Sequence, residues 1–246
     1  MPLLAFDTAT RATTVAWQSS ESEPALEARD DPPAGQRPRH TACLLPLIAE
    51  LLKGPGASFD QLERIAVGIG PGTFTGLRIG IATARALSQA LGVPLVGVST
   101  LESLAVYAEH AYPRARGGPE TFVSVLDARR GEVFAAAWSL THSGLAPLFG
   151  VRALSPTELA ELLAGTERLL PNRTLAVGDG ALAFRDVLES SGVAIPDDDS
   201  ECHRVTASAH CRLAWSLPAR QARDVHPYYV RLPDAELGRR ALISTR

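Results

Sequence analysis

The 246-residue sequence has no long hydrophobic run, few cysteines and a single lysine. No apolar stretch reaches the roughly 18 residues needed to cross a bilayer, which argues against a membrane-spanning protein. The first seven residues, MPLLAFD, are typical of a strand rather than of a signal peptide. These absences predict a cytoplasmic protein.

The three cysteines form an odd set without the spacing of a disulfide framework, as is usual in a reducing compartment. Two of them lie in a mirrored arrangement, Cys202-His203 and His210-Cys211, whose soft ligands could surround zinc. Structural zinc sites favour ligands about two to four residues apart, whereas adjacent side chains point in different directions. We therefore expect no metal, and favour a helix over 206–217 that buries Cys211 and leaves His210 on a polar face.

Positive charge is not in excess. The formal net charge is −3 and the isoelectric point is near 6.1, so the chain as a whole does not attract nucleic acid. Contact with a nucleic acid would need a local basic patch or a partner. The arginines near the C-terminus are the candidates for such a patch, although charges clustered at a terminus more often form a solvated tail: Arg220, Arg223, Arg231, Arg239 and Arg240.

Glycine is concentrated in the segment GIGPGTFTGLRIG at 68–80, which joins a predicted strand at 64–69 to a predicted helix at 74–91. Gly70 and Gly72 supply turn conformations that other residues adopt only with strain. A strand-to-helix corner of this kind is either a tight turn or an anion-binding cradle, because it presents backbone N–H groups at a helix N-terminus. The segment lacks the lysine and the spacing of a P-loop.

One side of the predicted helix at 74–91 is smooth and nearly uncharged. It carries Gly76, Gly80, Thr83 and Leu87 at helical spacing. Each glycine inside a helix costs about 1 kcal/mol relative to alanine, so two glycines one turn apart indicate that another backbone comes close. That backbone belongs either to the same chain or to a partner subunit, and periodicity does not separate the two.

The order of predicted elements repeats. A hairpin at 2–6 and 13–17 precedes predicted helices at 41–53, 74–91 and 99–110 that alternate with strands at 64–69 and 94–98. A second hairpin at 121–126 and 133–139 precedes predicted strands at 146–153 and 174–177 and helices at 156–164, 180–190 and 206–217. This pattern predicts an α/β protein built by duplication. Residues 18–39 are rich in charge, proline and glycine, and are predicted to be a flexible connection.

Several segments carry a family resemblance. GPGTFTGLRIG at 70–80 and GVSTLESLA at 97–105 are accompanied by four shorter motifs: LAFDTAT at 4–10, HTACLLPLI at 40–48, DARRGEVF at 127–134 and PYYVR at 227–231. Together they resemble the bacterial TsaB (YeaZ) family, the non-catalytic dimerisation subunit of tRNA threonylcarbamoyladenosine (t6A) synthesis. The resemblance implies the two-lobed actin-like ATPase (ASKHA, ribonuclease H-like) fold. We expect a first lobe at 1–105, a second lobe at 106–227 whose last helix returns to the first lobe, and a C-terminal tail at 228–246.

An enzyme is the alternative. Kinases of this fold bind metal-nucleotide at an acidic residue after the first strand, so Asp7, Thr8 and Thr10 are weak nucleotide-site candidates. The hairpin that contains them has no glycine, and Arg129 and Arg130 occupy the expected second phosphate turn. A related catalytic subunit carries a His-x-x-x-His metal pair on its first helix. Here Leu44 occupies the position of the second histidine, four residues after His40. We therefore predict a chain without catalytic residues or a metal of its own.

The predicted first helix is apolar almost all round, so it is buried on two sides or shared with another subunit. Beside the glycine-bearing helix it could form half of an intermolecular four-helix bundle, and the resemblance implies that a TsaD-like catalytic subunit supplies the other half. The predicted interface consists of His40, Thr41, Leu44, Leu45, Ile48, Phe74, Gly76, Gly80, Thr83 and Leu87. The resemblance further implies a TsaE-like ATPase partner and tRNA contact only through the complex. It leaves open whether ATP or ADP binds at a shared interface and whether the chain alone forms a homodimer. A small-molecule kinase and an independent tRNA-binding protein remain the alternatives.

Overall fold

A computed structural model describes residues 1–33, 35–54, 56–113, 118–166, 169 and 173–231. Nine strands and seven α-helices alternate along these residues: β1 Leu3–Asp7, β2 Thr13–Gln18, β3 Leu26–Asp30, α1 His40–Leu51, β4 Arg64–Gly70, α2 Phe74–Leu91, β5 Leu95–Ser99, α3 Thr100–Ala111, β6 Thr121–Arg129, β7 Glu132–Thr141, β8 Gly144–Leu154, α4 Pro156–Ala164, β9 Thr174–Val177, α5 Asp179–Ala183, α6 Arg185–Glu189 and α7 Ala207–Ser216. Single 3-10 turns occur at 59–61, 201–203 and 222–224.

Two sheets repeat one topology. The first has the order β3-β2-β1-β4-β5 and the second β8-β7-β6-β9. Each begins with an antiparallel three-stranded meander, and its first strand also pairs in parallel with the strand that follows the next helix. This duplication confirms the predicted α/β, two-lobed actin-like (ASKHA) fold.

Both faces of the first sheet are covered at β1, β4 and β5, which explains why these three strands carry few polar residues. Leu4 and Phe6 face a cluster with the buried side of α1 and α2, while the alternate residues Leu3 and Ala5 face α7. Helix α7 therefore packs on the first sheet although it follows the second in sequence. Helix α3 packs on the second sheet and also contacts α7, so these two helices lie between the sheets.

Two expectations about secondary structure were wrong. Residues 18–39 contain the edge strand β3, which pairs antiparallel with β2, because pairing with an existing strand overrides the charged local sequence. The helix predicted over 180–190 is divided into α5 and α6 by Phe184, whose φ of −125° is not helical. No helix within the described ranges has the length and apolar character needed to span a bilayer.

Candidate functional site

The end of β1 contains a buried aspartate–histidine pair. Asp7 and His210 of α7 are 1% and 0% exposed, and Asp7 Oδ2 lies 2.9 Å from His210 Nε2. The Thr100 hydroxyl also donates to Oδ2 at 2.9 Å, and the Ala9 N–H donates to Oδ1 at 2.5 Å. These bonds occupy three of the roughly four acceptor positions of a carboxylate. The Asp7 carboxylate is therefore occupied by bonds within the protein. The prediction that His210 lies on a polar face was wrong, because its side chain is fully buried.

Gly68 permits this pair. A Cβ on Gly68 would lie 1.8 Å from Asp7 Oδ2 and 3.1 Å from His210 Nε2. The ring nitrogen Nδ1 of His210 lies 3.0 Å from the Thr206 carbonyl oxygen, which only accepts, so Nδ1 carries a proton. The pair thus ties the last helix of the chain to the end of its first strand.

The glycines of α2 are packed against the same loop. A Cβ on Gly76 would lie 1.9 Å from the Thr8 carbonyl oxygen, and one on Gly80 would lie 2.5 Å from Thr8 Oγ1. The Thr8 hydroxyl donates to the Gly76 carbonyl at 2.7 Å. The close neighbour of both glycines is therefore Thr8 of the same chain, which accounts for Gly76 and Gly80 without a partner subunit. Thr10, the remaining nucleotide-site candidate, is half-buried.

Three residues of α1 from the predicted interface also lie in the interior: His40, Leu44 and Ile48. His40 Nδ1 lies 2.9 Å from the Thr13 hydroxyl, and burial lowers the pKa of this imidazole. The buried Leu44 occupies the position of a second metal-binding histidine, so these residues do not fit the paired-histidine site of the related catalytic subunit. The described residues contain no cluster of three or more metal-ligating side chains.

Part of the outward side of α1 and α2 is uncharged and partly apolar, although the exposed Glu50 and Arg78 lie on the same helices. We call this part the α1–α2 surface: Thr41, Ala42, Leu45, Ala49, Ile79, Thr83, Ala86 and Ala90. Leu45 is 53% exposed and is the largest exposed aliphatic side chain on this surface. Of the other predicted interface residues, Leu87 packs against the core and Phe74 lies at the mouth of a cleft.

That cleft lies between the lobes and brings together three motifs that are distant in sequence. It is lined by the corner at 71–74, by the β6–β7 turn at 127–130 and by residues 228–231. Its volume is about 250 Å³. We refer to it as the inter-lobe cleft.

Residues 220–231 form a strap that holds the cleft together. The strap begins beside β5, where Arg220 and Leu95 exchange backbone hydrogen bonds of 2.7 and 2.9 Å. It then follows α2, whose Arg85 donates to the Val225 carbonyl at 2.7 Å. It ends at Arg231, which pairs with Glu132 and donates to the Ala128 carbonyl at 3.2 Å. The part of the predicted C-terminal tail at 228–231 therefore joins the two lobes, and 232–246 lie outside the described residues.

The β6–β7 turn has an unusual backbone. Arg129 and Arg130 have φ values of 65° and 58°, a left-handed conformation that non-glycine residues seldom adopt. The Asp127 carboxylate accepts from the Arg129 N–H at 2.7 Å, while the Asp127 N–H donates to Asp179 at 3.0 Å. Burial raises the pKa of Asp179. The turn is thus fixed from both sides and holds two arginines at the cleft.

The two Cys-His pairs lie in separate surroundings. Cys202 belongs to the core beneath the second sheet and Cys211 to the core between the first sheet and α7. His203 Nδ1 accepts from the Gly178 N–H at 3.2 Å, and its Nε2 lies 3.2 Å from the Pro196 carbonyl oxygen. Burial raises the pKa of the Cys211 thiol far above its usual value. These residues are therefore packing groups.

Comparison with known proteins gives a consistent result. The sequence profile of the family described as TsaD, tRNA N6-adenosine threonylcarbamoyltransferase, matches residues 32–196. The tRNA threonylcarbamoyladenosine biosynthesis protein TsaB of Escherichia coli K12 is 32% identical over 203 residues, which are 81% of this chain and 80% of that protein. TsaB of Bacillus subtilis 168 is 29% identical over 209 residues, covering 80% of this chain and 82% of that protein. The structure of YeaZ from Pseudomonas aeruginosa superposes with a TM-score of 0.75 at 27% identity, covering 93% of this chain and 99% of that one.

Sequence reasoning missed two features of the site. The partner of Asp7 is 203 residues away on α7, and no local pattern indicates such a contact. The second is the end of the strap: the predicted C-terminal tail includes residues 228–231, which instead join the two lobes. Its tyrosines were the available signal, since adjacent aromatic residues in a solvated tail are uncommon.

Proposed function

This chain belongs to the TsaB (YeaZ) family, and we propose on that basis that it is a non-catalytic subunit that binds and activates a TsaD-like catalytic subunit. The partner transfers threonylcarbamoyl from its adenylate to N6 of adenosine 37 in ANN-decoding tRNAs. In this proposal the present chain makes and breaks no bond in that transfer. A TsaE-like ATPase, ATP or ADP at a shared interface, and a homodimer of the isolated chain belong to the same proposal.

The buried, hydrogen-bonded carboxylate of Asp7 is the observation that best supports a non-catalytic role. A kinase of this fold needs that carboxylate to be open to a metal-nucleotide, whereas here it is 1% exposed and bonded to His210, Thr100 and the Ala9 N–H. The second phosphate turn carries Arg129 and Arg130 in place of small residues. Both features disfavour a nucleotide clamp.

The α1–α2 surface supports the partner-binding part. Removing apolar area from water contributes roughly 25 cal/mol per Å², and large exposed aliphatic groups such as Leu45 gain from being covered. Interfaces also place uncharged groups at their centre, which fits this surface. With a formal net charge of −3, the chain has no long-range attraction for tRNA, so we assign tRNA contact to the complex.

The experiment is reconstitution with a TsaD homologue and the other t6A enzymes, with t6A measured by mass spectrometry of digested tRNA. The wild-type chain should co-purify stoichiometrically with the TsaD homologue, and t6A should form only when both are present. The Asp7→Asn variant should support wild-type t6A levels provided it is folded. Magnesium-dependent ATP turnover by the isolated chain that Asp7→Asn abolishes would instead establish the kinase alternative.

A further inference from the structure

Two arginines of α2, Arg78 and Arg85, carry positive charges that nothing on their own helix offsets. The 18 residues of α2 include no aspartate or glutamate. Among the described residues neither arginine is paired with a carboxylate, in contrast to Arg129, whose guanidinium lies 2.9 Å from the Asp127 carboxylate. Since a guanidinium stays charged at any physiological pH, both charges remain available to a partner outside the chain.

Arg78 is held in place by neutral groups. Its Nε donates to the Tyr229 hydroxyl at 3.2 Å, and its guanidinium carbon lies 3.7 Å from the centre of the Phe74 ring. Neither contact removes the charge, and the terminal nitrogens Nη1 and Nη2 make no hydrogen bond to the described residues. The exposed guanidinium therefore presents two donor nitrogens in a fixed position, which reduces the entropy that an ordered contact would cost.

Arg85 joins α2 to the strap in the same way. Its Nε donates to the Ala222 carbonyl at 3.1 Å, and its Nη2 donates to the Val225 carbonyl at 2.7 Å. Nη2 also lies 3.1 Å from His226 Nδ1. Because a guanidinium only donates, Nδ1 is the acceptor and the ring carries its proton on Nε2. The exposed His226 thus adds a further donor beside the Arg85 charge.

A groove between α2 and the strap brings these groups together, and we call it the α2–strap groove. Its volume is about 520 Å³. It is lined by the two arginines, by His226 and Tyr229, and by the apolar Ile81 and Pro227. The strap also carries Arg223, whose side chain is 79% exposed and whose Nε lies 3.9 Å from the carboxylate of its neighbour Asp224, too far for a hydrogen bond. Asp224 is the one acidic residue of 222–229, so cations predominate here.

The α2–strap groove lies beside the α1–α2 surface. Successive residues of a helix are about 100° apart around its axis, so Arg78 and Arg85 stand next to Ile79 and Ala86 of that surface. The two arginines are two helical turns apart, which places their charges on one side of α2 at a separation of about 10 Å along its axis. A TsaD-like subunit on the α1–α2 surface would border the groove, and an RNA held by that subunit would be within its reach.

We propose that the α2–strap groove contacts the sugar–phosphate backbone of tRNA when the chain is in its complex with the TsaD-like subunit. Arginine suits this contact, because its planar guanidinium donates two parallel hydrogen bonds to phosphate oxygens. Protein–protein interfaces place uncharged groups at their centre, whereas charged groups predominate here, which favours RNA over an acidic protein. The inference rests on the proposed function, which supplies the complex, and adds the surface through which this chain contributes to tRNA affinity.

The test is the affinity of the reconstituted complex for an unmodified ANN-decoding tRNA transcript, measured by fluorescence anisotropy between about 50 and about 200 mM salt. Arg223→Glu reverses a charge on an exposed side chain, and Arg78→Gln removes a charge while keeping a donor. Arg152 receives the same two substitutions as the matched control, because it is an exposed arginine whose guanidinium lies 5.7 Å from the centre of the Phe149 ring, on strand β8.

Arg223→Glu and Arg78→Gln should each weaken tRNA binding at least about threefold at low salt, and should reduce the slope of log affinity against log salt by about one, as loss of a phosphate contact does. In t6A formation both variants should raise the KM for tRNA and leave kcat near the wild-type value, since the lost contact binds ground state and transition state equally. Affinity for the TsaD homologue should stay at the wild-type level. Arg152→Glu and Arg152→Gln should change none of these quantities.

A folded Arg223→Glu chain that forms the complex and binds tRNA with the wild-type affinity and salt slope would overturn the inference and leave the proposed function intact. Weaker binding of the TsaD homologue by the two groove variants would assign the groove to an acidic protein surface, and would overturn it as well. If the wild-type chain forms no complex with the TsaD homologue, the proposed function fails and this inference fails with it.

Discussion

The Asp7–His210 pair gives the sharpest stability prediction, because its partners are fully enclosed. Replacing Asp7 by alanine leaves His210 Nε2, the Thr100 hydroxyl and the Ala9 N–H without their acceptor. Breaking a buried pair by removing one partner costs about 3–5 kcal/mol, a large part of the roughly 5–15 kcal/mol that stabilises a folded domain. Asp7→Ala should therefore reduce the free energy of unfolding by that amount.

The matched control is Asp7→Asn, which keeps the shape of the side chain. Its amide oxygen still accepts from the Ala9 N–H, and its NH2 group donates to a His210 ring whose proton remains on Nδ1. We expect a loss below about 1.5 kcal/mol. Gly68→Ala should disrupt the pair sterically, because its Cβ would lie 1.8 Å from Asp7 Oδ2. We expect it to lower the free energy of unfolding by about as much as Asp7→Ala.

Urea unfolding followed by circular dichroism measures all three variants. The reasoning is refuted if Asp7→Ala unfolds within 1 kcal/mol of the wild type, a margin well below the cost of a broken buried pair. It is refuted equally if the alanine and asparagine variants lose the same free energy.

Three further predictions concern local packing and pH. Gly76→Ala should destabilise the chain by several kcal/mol, because its Cβ would lie 1.9 Å from the Thr8 carbonyl oxygen, whereas the exposed neighbour Thr75→Ala should change the melting temperature little. Burial lowers the pKa of His40, so below about pH 6.5 the unfolded chain binds a proton at this residue more readily than the folded chain does. The free energy of unfolding should therefore decrease between about pH 7.5 and about pH 5.5. The decrease should be smaller in His40→Gln. Ser155→Ala should cost about 1 kcal/mol in urea unfolding, because it removes the capping box of α4, and an unchanged midpoint would contradict this.

The repeated elements were predictable from sequence because their apolar periodicity is strong. Helix α2 begins at Phe74 and ends at Leu91 as its spacing indicates, and α4 and β9 also match their predicted bounds. The duplication followed from the order of these elements. Strand β3 could not be predicted in the same way, since its charged sequence becomes a strand only through pairing with β2.

The candidate site was less predictable because its contacts are non-local. The two glycines of α2 indicated that another segment comes close, but periodicity could not identify it as Thr8, whose carbonyl oxygen faces Gly76 and whose side chain faces Gly80. Likewise the sequence indicated Asp7 as a candidate nucleotide-site residue. Its bond to His210 could not be predicted, because it depends on the packing of α7 on the first sheet. Local sequence therefore identified the important positions, and the tertiary fold decided what each one does.

The measurement that tests the central claim most directly is the affinity of the chain for a TsaD homologue by titration calorimetry, comparing Leu45→Asp with Val187→Asp. Both substitutions place a charge at an exposed aliphatic position, but Leu45 lies on the α1–α2 surface and Val187 on α6. If the α1–α2 surface meets the catalytic subunit, Leu45→Asp should stay folded and weaken binding by at least about tenfold, because a charge would be buried without a partner. t6A formation should fall with it, while Val187→Asp behaves as the wild type. A folded Leu45→Asp chain with wild-type affinity and wild-type t6A formation would contradict the account.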